Sequence, residues 1–162
     1  MNNSQITVGK VVPEFQIPAT SNKTISLSDL LSQHKNLVLY FYPKDCTSGC
    51  TLEGRAFRDN YLAFKKLNTE IWGVSRDTIK LHEKFKSDEN FPFELLSDTE
   101  EKLCNLFNVI KEKNMYGKKV MGIERSTFII DSNGILQKEW RNVKADGHAQ
   151  EVLAIVNNLF GK

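Results

Sequence analysis

Cys50 and the residues around it are where this chain combines side-chain types and spacing that could do chemistry. The chain has three cysteines, Cys46, Cys50 and Cys104, and a thiol becomes a strong nucleophile only when it ionises. The apolar run Leu37–Tyr42 stops at Pro43, and helical spacing begins at Cys50. Cys50 therefore stands between the carboxyl end of a strand and the start of a helix, where sites on open α/β sheets lie. Free N–H groups and partial positive charge at a helix N-terminus favour thiolate over thiol, and a nearby arginine would add to this. The bland alternative is a small buried hydrophobe, the commoner fate of a free cysteine. Thr47, Ser48, Gly49, Thr51 and Glu53 are small or polar, and they are poor material for a core. Cys104 lies between Leu103 and Leu106 on the apolar face of a short helical segment, which reads as an inert core thiol. No metal centre is expected: zinc takes four ligands at recognised spacing, and His34, His82 and His148 show no paired spacing with Cys46 and Cys50.

The elements that must position Cys50 follow from hydrophobic periodicity. Leu37–Tyr42 is continuous, apolar and rich in β-formers, as expected of a buried central strand. Lys44–Gly49 reads as a loop. Beyond it Ala56, Phe57, Tyr61, Phe64 and Leu67 share one face of a single helix, with Thr47, Ser48 and Gly49 as capping candidates. Glu70–Ser75 is a second strand. Lys80–Ser87 is a helix with Leu81 and Phe85 on its apolar face. Phe91–Leu96 is extended and Glu101–Phe107 is a short helix. Thr127–Ile130 and Ile135–Trp140 are strands joined by an Asn133-Gly134 hairpin turn. Val152, Leu153, Ile155, Val156, Leu159 and Phe160 mark an amphipathic C-terminal helix. A small N-terminal hairpin has Phe15–Ile17 and Thr24–Leu27 as its arms. Strands alternating with helices imply parallel pairing, and the late hairpin makes the sheet mixed. The order predicts an α/β, thioredoxin-like fold: a central mixed sheet flanked by helices, with an N-terminal hairpin added.

Composition limits the function. With 162 residues the chain is sized for one domain, 1–162, and 40% hydrophobic against 26% charged residues is a globular balance. The 22 basic and 20 acidic residues alternate without a basic block, so nucleic acid and anionic membrane are poor partners. The apolar run is far shorter than the roughly 20 residues that span a bilayer, and Met1–Lys10 lacks a signal-peptide core. A cytoplasmic location is expected. Three cysteines in a chain of this size do not make a disulfide framework.

The run Phe41-Tyr42-Pro43-Lys44-Asp45-Cys46-Thr47-Ser48-Gly49-Cys50-Thr51-Leu52-Glu53 resembles the active-site motif of peroxiredoxins, Pro-x-x-x-Thr-x-x-Cys. It is most similar to the bacterioferritin-comigratory (PrxQ) subgroup, whose usual version is F-Y-P-K-D-x-T-P-G-C-T-x-E. Gly73–Asp77, Leu95–Asp98, Leu103–Val109 and Gly122–Asp131 match the same subgroup in order, so the likeness covers about residues 8–160. The resemblance implies a thiol peroxidase for hydrogen peroxide and small organic hydroperoxides. Cys50 would be the peroxidatic cysteine and would become a sulfenic acid. Thr47 would hold the peroxide oxygens, Pro43 would cover the thiolate from water, and Arg125 would stabilise it and polarise the breaking bond. Taken alone, Thr47 would be a plain helix cap, Pro43 a strand end, and Arg125 a surface cation pairing with Glu124 or Glu139. Glu53 is placed to pair with an arginine or close a capping box. Tyr42 is core or pocket lining, and Gly49 supports the pocket. The chemistry needs donors aimed at both oxygens and no cofactor. A monomer or a modest dimer is the implied assembly.

The chain departs from the subgroup where oxidation must be reversed. The position five residues after Cys50, often a resolving cysteine on the same helix, is Arg55, and the usual proline before Gly49 is Ser48. Cys46 and Cys104 remain as candidate resolving thiols. The Cys46–Cys50 spacing closes only if the Cα atoms come within about 7 Å. The expectation is a one-cysteine mechanism resolved by an external thiol: thioredoxin, glutaredoxin or glutathione. The rival reading is a peroxide-sensing redox relay or binding module with little turnover. A general disulfide oxidoreductase is disfavoured by the lack of a Cys-x-x-Cys pair.

Overall fold

The computed structural model of the chain describes residues 6–161. The first five residues of the polar stretch Met1–Lys10 lie outside the described residues. The framework is a seven-stranded mixed sheet. Its strands are β1 (Gln16–Ala19), β2 (Lys23–Ser26), β3 (Asn36–Phe41), β4 (Thr69–Ser75), β5 (Glu94–Ser97), β8 (Ser126–Ile130) and β9 (Leu136–Trp140), in the order β2-β1-β5-β4-β3-β8-β9. Strands β3, β4 and β5 are parallel, and the pairs β3–β8, β8–β9, β1–β2 and β1–β5 are antiparallel. The N-terminal hairpin thus extends the main sheet through β5. The helices are α1 (Leu27–Ser32), α2 (Ser48–Asp59), α3 (Tyr61–Lys66), α4 (Ile79–Glu89), α5 (Lys102–Leu106) and α6 (His148–Phe160). A separate two-stranded ribbon, β6 (Ile110–Met115) with β7 (Lys118–Ile123), completes the fold.

Strand β3 is buried along its whole length, and its alternation divides the core. Leu37, Leu39 and Phe41 join one apolar cluster with Trp72, Leu103, Cys104, Phe107 and Phe128. Val38 and Tyr40 join the other with Tyr42, Cys50, Phe57, Phe64, Phe85, Phe93, Ile129 and Val152. Cys50 and Cys104 therefore sit in the two clusters separated by the sheet.

Several expectations shift in detail. The helix carrying Cys50 starts at Ser48, inside the segment read as loop. It is two helices rather than one, because Asn60 turns its amide back onto the Ala56 carbonyl (2.8 Å) and separates α2 from α3. On α4 the buried face is His82 and Phe85, while Leu81 is 44% exposed. Leu27 is the first residue of α1 rather than the end of the hairpin arm. Ser26 caps that helix by accepting the Asp29 N–H at 3.1 Å.

Helix α2 packs tightly on the chain after α4. A Cβ at Gly54 would collide with Phe91 Cζ and lie within 3.2 Å of two further ring atoms. Gly54→Ala is therefore expected to destabilise the fold by about 1–3 kcal/mol. Urea unfolding measures this, and a compensating Phe91→Leu change should recover part of the loss.

Candidate active site

The chain leaves β3 at Phe41 and reaches α2 at Ser48, with Pro43, Asp45, Cys46 and Thr47 on the loop between them. A buried polar network pins this loop. The Tyr42 hydroxyl donates to Asp45 Oδ1 at 2.7 Å, and His82 Nδ1 lies 2.6 Å from Asp45 Oδ2. The opposite ring nitrogen of His82 faces the Leu96 carbonyl at 2.8 Å, which can only accept, so Nε2 carries a proton. The Asp45 N–H donates to Asp77 Oδ2 at 2.8 Å, and the Ser75 hydroxyl donates to the same oxygen. Tyr42 is thus fully buried support for the loop. Its phenol is pushed well up by burial and by Asp45. Cys46 occupies the left-handed region at φ 65 and is exposed. Asp45, Asp77 and His82 are close enough to hold an ion, but their hydrogen bonds already account for them.

Thr47 is the N-cap residue of α2 by backbone geometry (φ −82, ψ 158), and its side chain does not cap. The hydroxyl donates instead to the Lys44 carbonyl at 2.8 Å. With its proton so engaged, the Thr47 oxygen is left as an acceptor. The first-turn N–H groups are not taken up by a cap side chain. Cys50 is in that first turn and is 2% exposed.

Arg125 follows β7 and precedes β8, on the neighbour of β3. One guanidinium nitrogen donates to Glu53 Oε1 at 2.6 Å and the other lies 3.5 Å from Cys50 Sγ. The sequence-level alternatives for Arg125, Glu124 and Glu139, are not its partners. Glu139 pairs with Arg141, and the capping box at Glu53 does not form. Gly49 makes the approach possible: a Cβ there would stand 3.1 Å from Arg125 Nη2. Pro43 is half-buried on the loop, and Thr47 is exposed.

Glu53 is fully buried, and its Oε2 has no hydrogen-bond partner. Burial pushes its carboxyl up to about 7, against the pull of Arg125. Sequence reasoning missed Tyr40, whose buried hydroxyl is also without a partner and whose ionisation is opposed by burial, Glu53 and Cys50. It also missed His82 and Asp77. The two further thiols differ from Cys50. Slight burial and Asp45 push the exposed Cys46 thiol up. Burial and Asp98 push the Cys104 thiol far up, and Asp98 accepts the Cys104 N–H at 2.7 Å. Arg55 points away from Cys50 to Glu89, with Nε–Oε1 at 2.6 Å.

A cysteine in a helix first turn, a guanidinium 3.5 Å from its sulfur and a threonine acceptor at the N-cap of that helix stand just beyond the carboxyl end of a central strand of a thioredoxin-like sheet, and likeness to known proteins gives that arrangement its class. Residues 8–139 match the AhpC/TSA family. A peroxiredoxin Bcp of Bacillus subtilis is 46% identical over 157 residues, covering 97% of this chain and 99% of that protein. One of Xanthomonas campestris is 54% identical over 118 residues, covering 73% and 74%. A solved PrxQ mutant of Xylella fastidiosa superposes with a TM-score of 0.90 at 39% identity, covering 97% of this chain and 99% of that one. The chain belongs to the AhpC/TSA family, as a peroxiredoxin of the bacterioferritin-comigratory (PrxQ) subgroup.

The buried Glu53 gives a pH signature. Its folded-state value near 7 exceeds the ordinary 4.5, so between these values the folded protein holds a proton that the unfolded chain releases. The resulting stabilisation is complete below about 4.5 and is lost as the pH rises through 7. In urea titrations the stability of the wild type relative to Glu53→Gln is expected to fall from pH 5 to pH 8, by on the order of 3 kcal/mol. A difference that stays flat over that range would mean that Glu53 is ionised throughout and would contradict the raised value.

Proposed function

We propose that Cys50 reduces peroxides by a one-cysteine cycle closed by an external thiol. The carrying observation is the Arg125 guanidinium, which spans Glu53 and the Cys50 sulfur in the first turn of α2. The Cys50 thiolate attacks one peroxide oxygen, forming an S–O bond as the O–O bond breaks. The departing oxygen leaves as alkoxide or hydroxide and takes a proton to become alcohol or water. Arg125 and the first-turn N–H groups face the charge that develops on these oxygens. Thr47 accepts a hydrogen bond from the peroxide O–H, since its own proton is held by Lys44. Pro43 limits water, and Gly49 and Tyr42 maintain the shape around the sulfur.

Cys50 is left as a sulfenic acid. A thiol attacks its sulfur, expelling water and forming a mixed disulfide, and a second thiol releases Cys50 by thiol–disulfide exchange. An internal partner is unsupported. Arg55 occupies the helical position five residues on, and Cys104 lies across the sheet with its thiol held protonated. Cys46 shares the loop, but its αL backbone and the Asp45–His82 network hold that loop in place. The reductant is a protein or small thiol of the cytosol, and no cofactor takes part. No described helix is long and apolar enough to cross a membrane. A redox relay with little turnover has no observation in its favour, whereas the Arg125–Cys50 contact supports turnover.

Mass spectrometry after one equivalent of peroxide should show oxygen added at Cys50, with no Cys46–Cys50 or Cys50–Cys104 disulfide. Cys50→Ser should abolish turnover with a thiol reductant, and Cys46→Ser and Cys104→Ala should each keep most of it. A stoichiometric internal disulfide, or turnover surviving in Cys50→Ser, would overturn the assignment.

A further inference from the structure

The β6–β7 ribbon stands apart from the rest of the fold. It pairs with no strand of the main sheet, and a lone two-stranded ribbon gains little stability by itself. It nevertheless carries Met115, Tyr116, Val120 and Met121, four of the ten exposed large hydrophobic side chains among the described residues; Tyr116 is 99% exposed. Apolar exposure gathered in this way marks an interaction surface. The charge is gathered too. Lys111, Lys113, Lys118 and Lys119 face only Glu112, giving the ribbon a net +3, whereas the whole chain carries +2. The remainder of the molecule is therefore slightly acidic. The sequence shows no basic block, but folding produces one.

Register sorts these residues by face. Lys111 pairs with Gly122, Lys113 with Val120 and Met115 with Lys118, so these side chains share one side of the ribbon. That side leads to the active site. Lys113 is partly buried, lies along Gly122, and its ammonium donates to the Ile123 carbonyl, two residues before Arg125. The charges of Arg125 and Cys50 both reach it. At the base of the ribbon Arg76 also holds the Met121 carbonyl, at 3.3 Å. A cationic, apolar strip thus runs from the exposed tip to the edge of the thiolate site.

We infer that this face of the ribbon is the docking surface for a protein dithiol reductant with an acidic, apolar rim around its thiol. The inference rests on the external-thiol reading above. With no internal thiol placed to resolve Cys50, the incoming thiol must be presented to it from outside. Among the described residues, this strip is a charged, apolar surface continuous with the site. One reductant thiol attacks the Cys50 sulfenic sulfur, forming an S–S bond as water leaves. Its second thiol then attacks the reductant sulfur of that bond, giving the oxidised reductant and the Cys50 thiolate. A second copy of this chain fits less well, since it would set one +3 ribbon against another or against a nearly neutral surface.

The test is stopped-flow reduction of peroxide-oxidised protein by thioredoxin and, separately, by dithiothreitol, in the wild type and in Lys111→Glu/Lys118→Glu. The expected result is a thioredoxin rate lowered ~10-fold or more in the variant, and lowered by salt in the wild type. Oxidation by peroxide and reduction by dithiothreitol should change less than about twofold, because neither uses the docked surface. Tyr116→Ser, which leaves the charge intact, should lower the thioredoxin rate as well. Equal thioredoxin rates in wild type and both variants, insensitive to salt, would overturn the inference. So would reduction by glutathione but not by thioredoxin, or a change in sedimentation showing that the ribbon joins two copies. An internal disulfide in the oxidised wild type would instead fail the external-thiol reading on which the inference stands.

Discussion

One partly buried cation organises this molecule. Arg125 lies between a carboxylate that water cannot reach and a sulfur in a helix first turn. Burying charge is costly unless it is paired, and the Glu53–Arg125 contact is the pairing that makes the arginine tolerable there. The balance is close: desolvation outweighs the attraction at Glu53, whose second oxygen finds no partner. A pair held on such terms specifies position more than it adds stability. The position it specifies is that of a guanidinium facing the Cys50 sulfur. The rest of the site serves this geometry, from the absent side chain at Gly49 to the loop tied down through Asp45 and His82.

The sheet fixes the fate of Cys104 by simple alternation. Successive residues of β3 point to opposite faces, so the elements packed on them belong to separate cores. Cys104 is committed to one core and Cys50 opens from the other. On the external-thiol cycle proposed above, the surface beside the site takes on the role inferred for it, one that an internally resolved enzyme would not need.

Much of this was legible in the residues. The unbroken run of β3, the strand–helix alternation and the turn at Asn133-Gly134 are long-range patterns that one residue change does not blur. Cys50, Thr47 and Pro43 carry a family motif, and Arg125 falls in a second segment similar to the same subgroup. What escaped notice has physical reasons. Helix α1 is only six residues long, too short to show a period, and its one signal is the Ser26 cap. The β6–β7 ribbon is buried only at its base and solvated along most of its length, so its strands lack the apolar–polar alternation that a half-buried sheet shows. The break at Asn60 depends on one side chain bonding back to the preceding turn, which an apolar periodicity does not register. The sequence marks Glu53 as an arginine partner, but its burial and shifted ionisation arise from packing. The Asp45–His82–Asp77 network joins three segments that no local spacing connects.

The most direct measurement isolates one sulfur and one guanidinium. In a protein whose only cysteine is Cys50, the rate of sulfenic acid formation with hydrogen peroxide is followed at neutral pH, with Arg125 intact and with Arg125→Met. The structure predicts a loss of ~10²-fold or more on removing the guanidinium, the scale of one preorganised donor at a developing charge. Oxidation at an unchanged rate by a folded Arg125→Met protein would show that the arginine does not act on Cys50, and the account would fail.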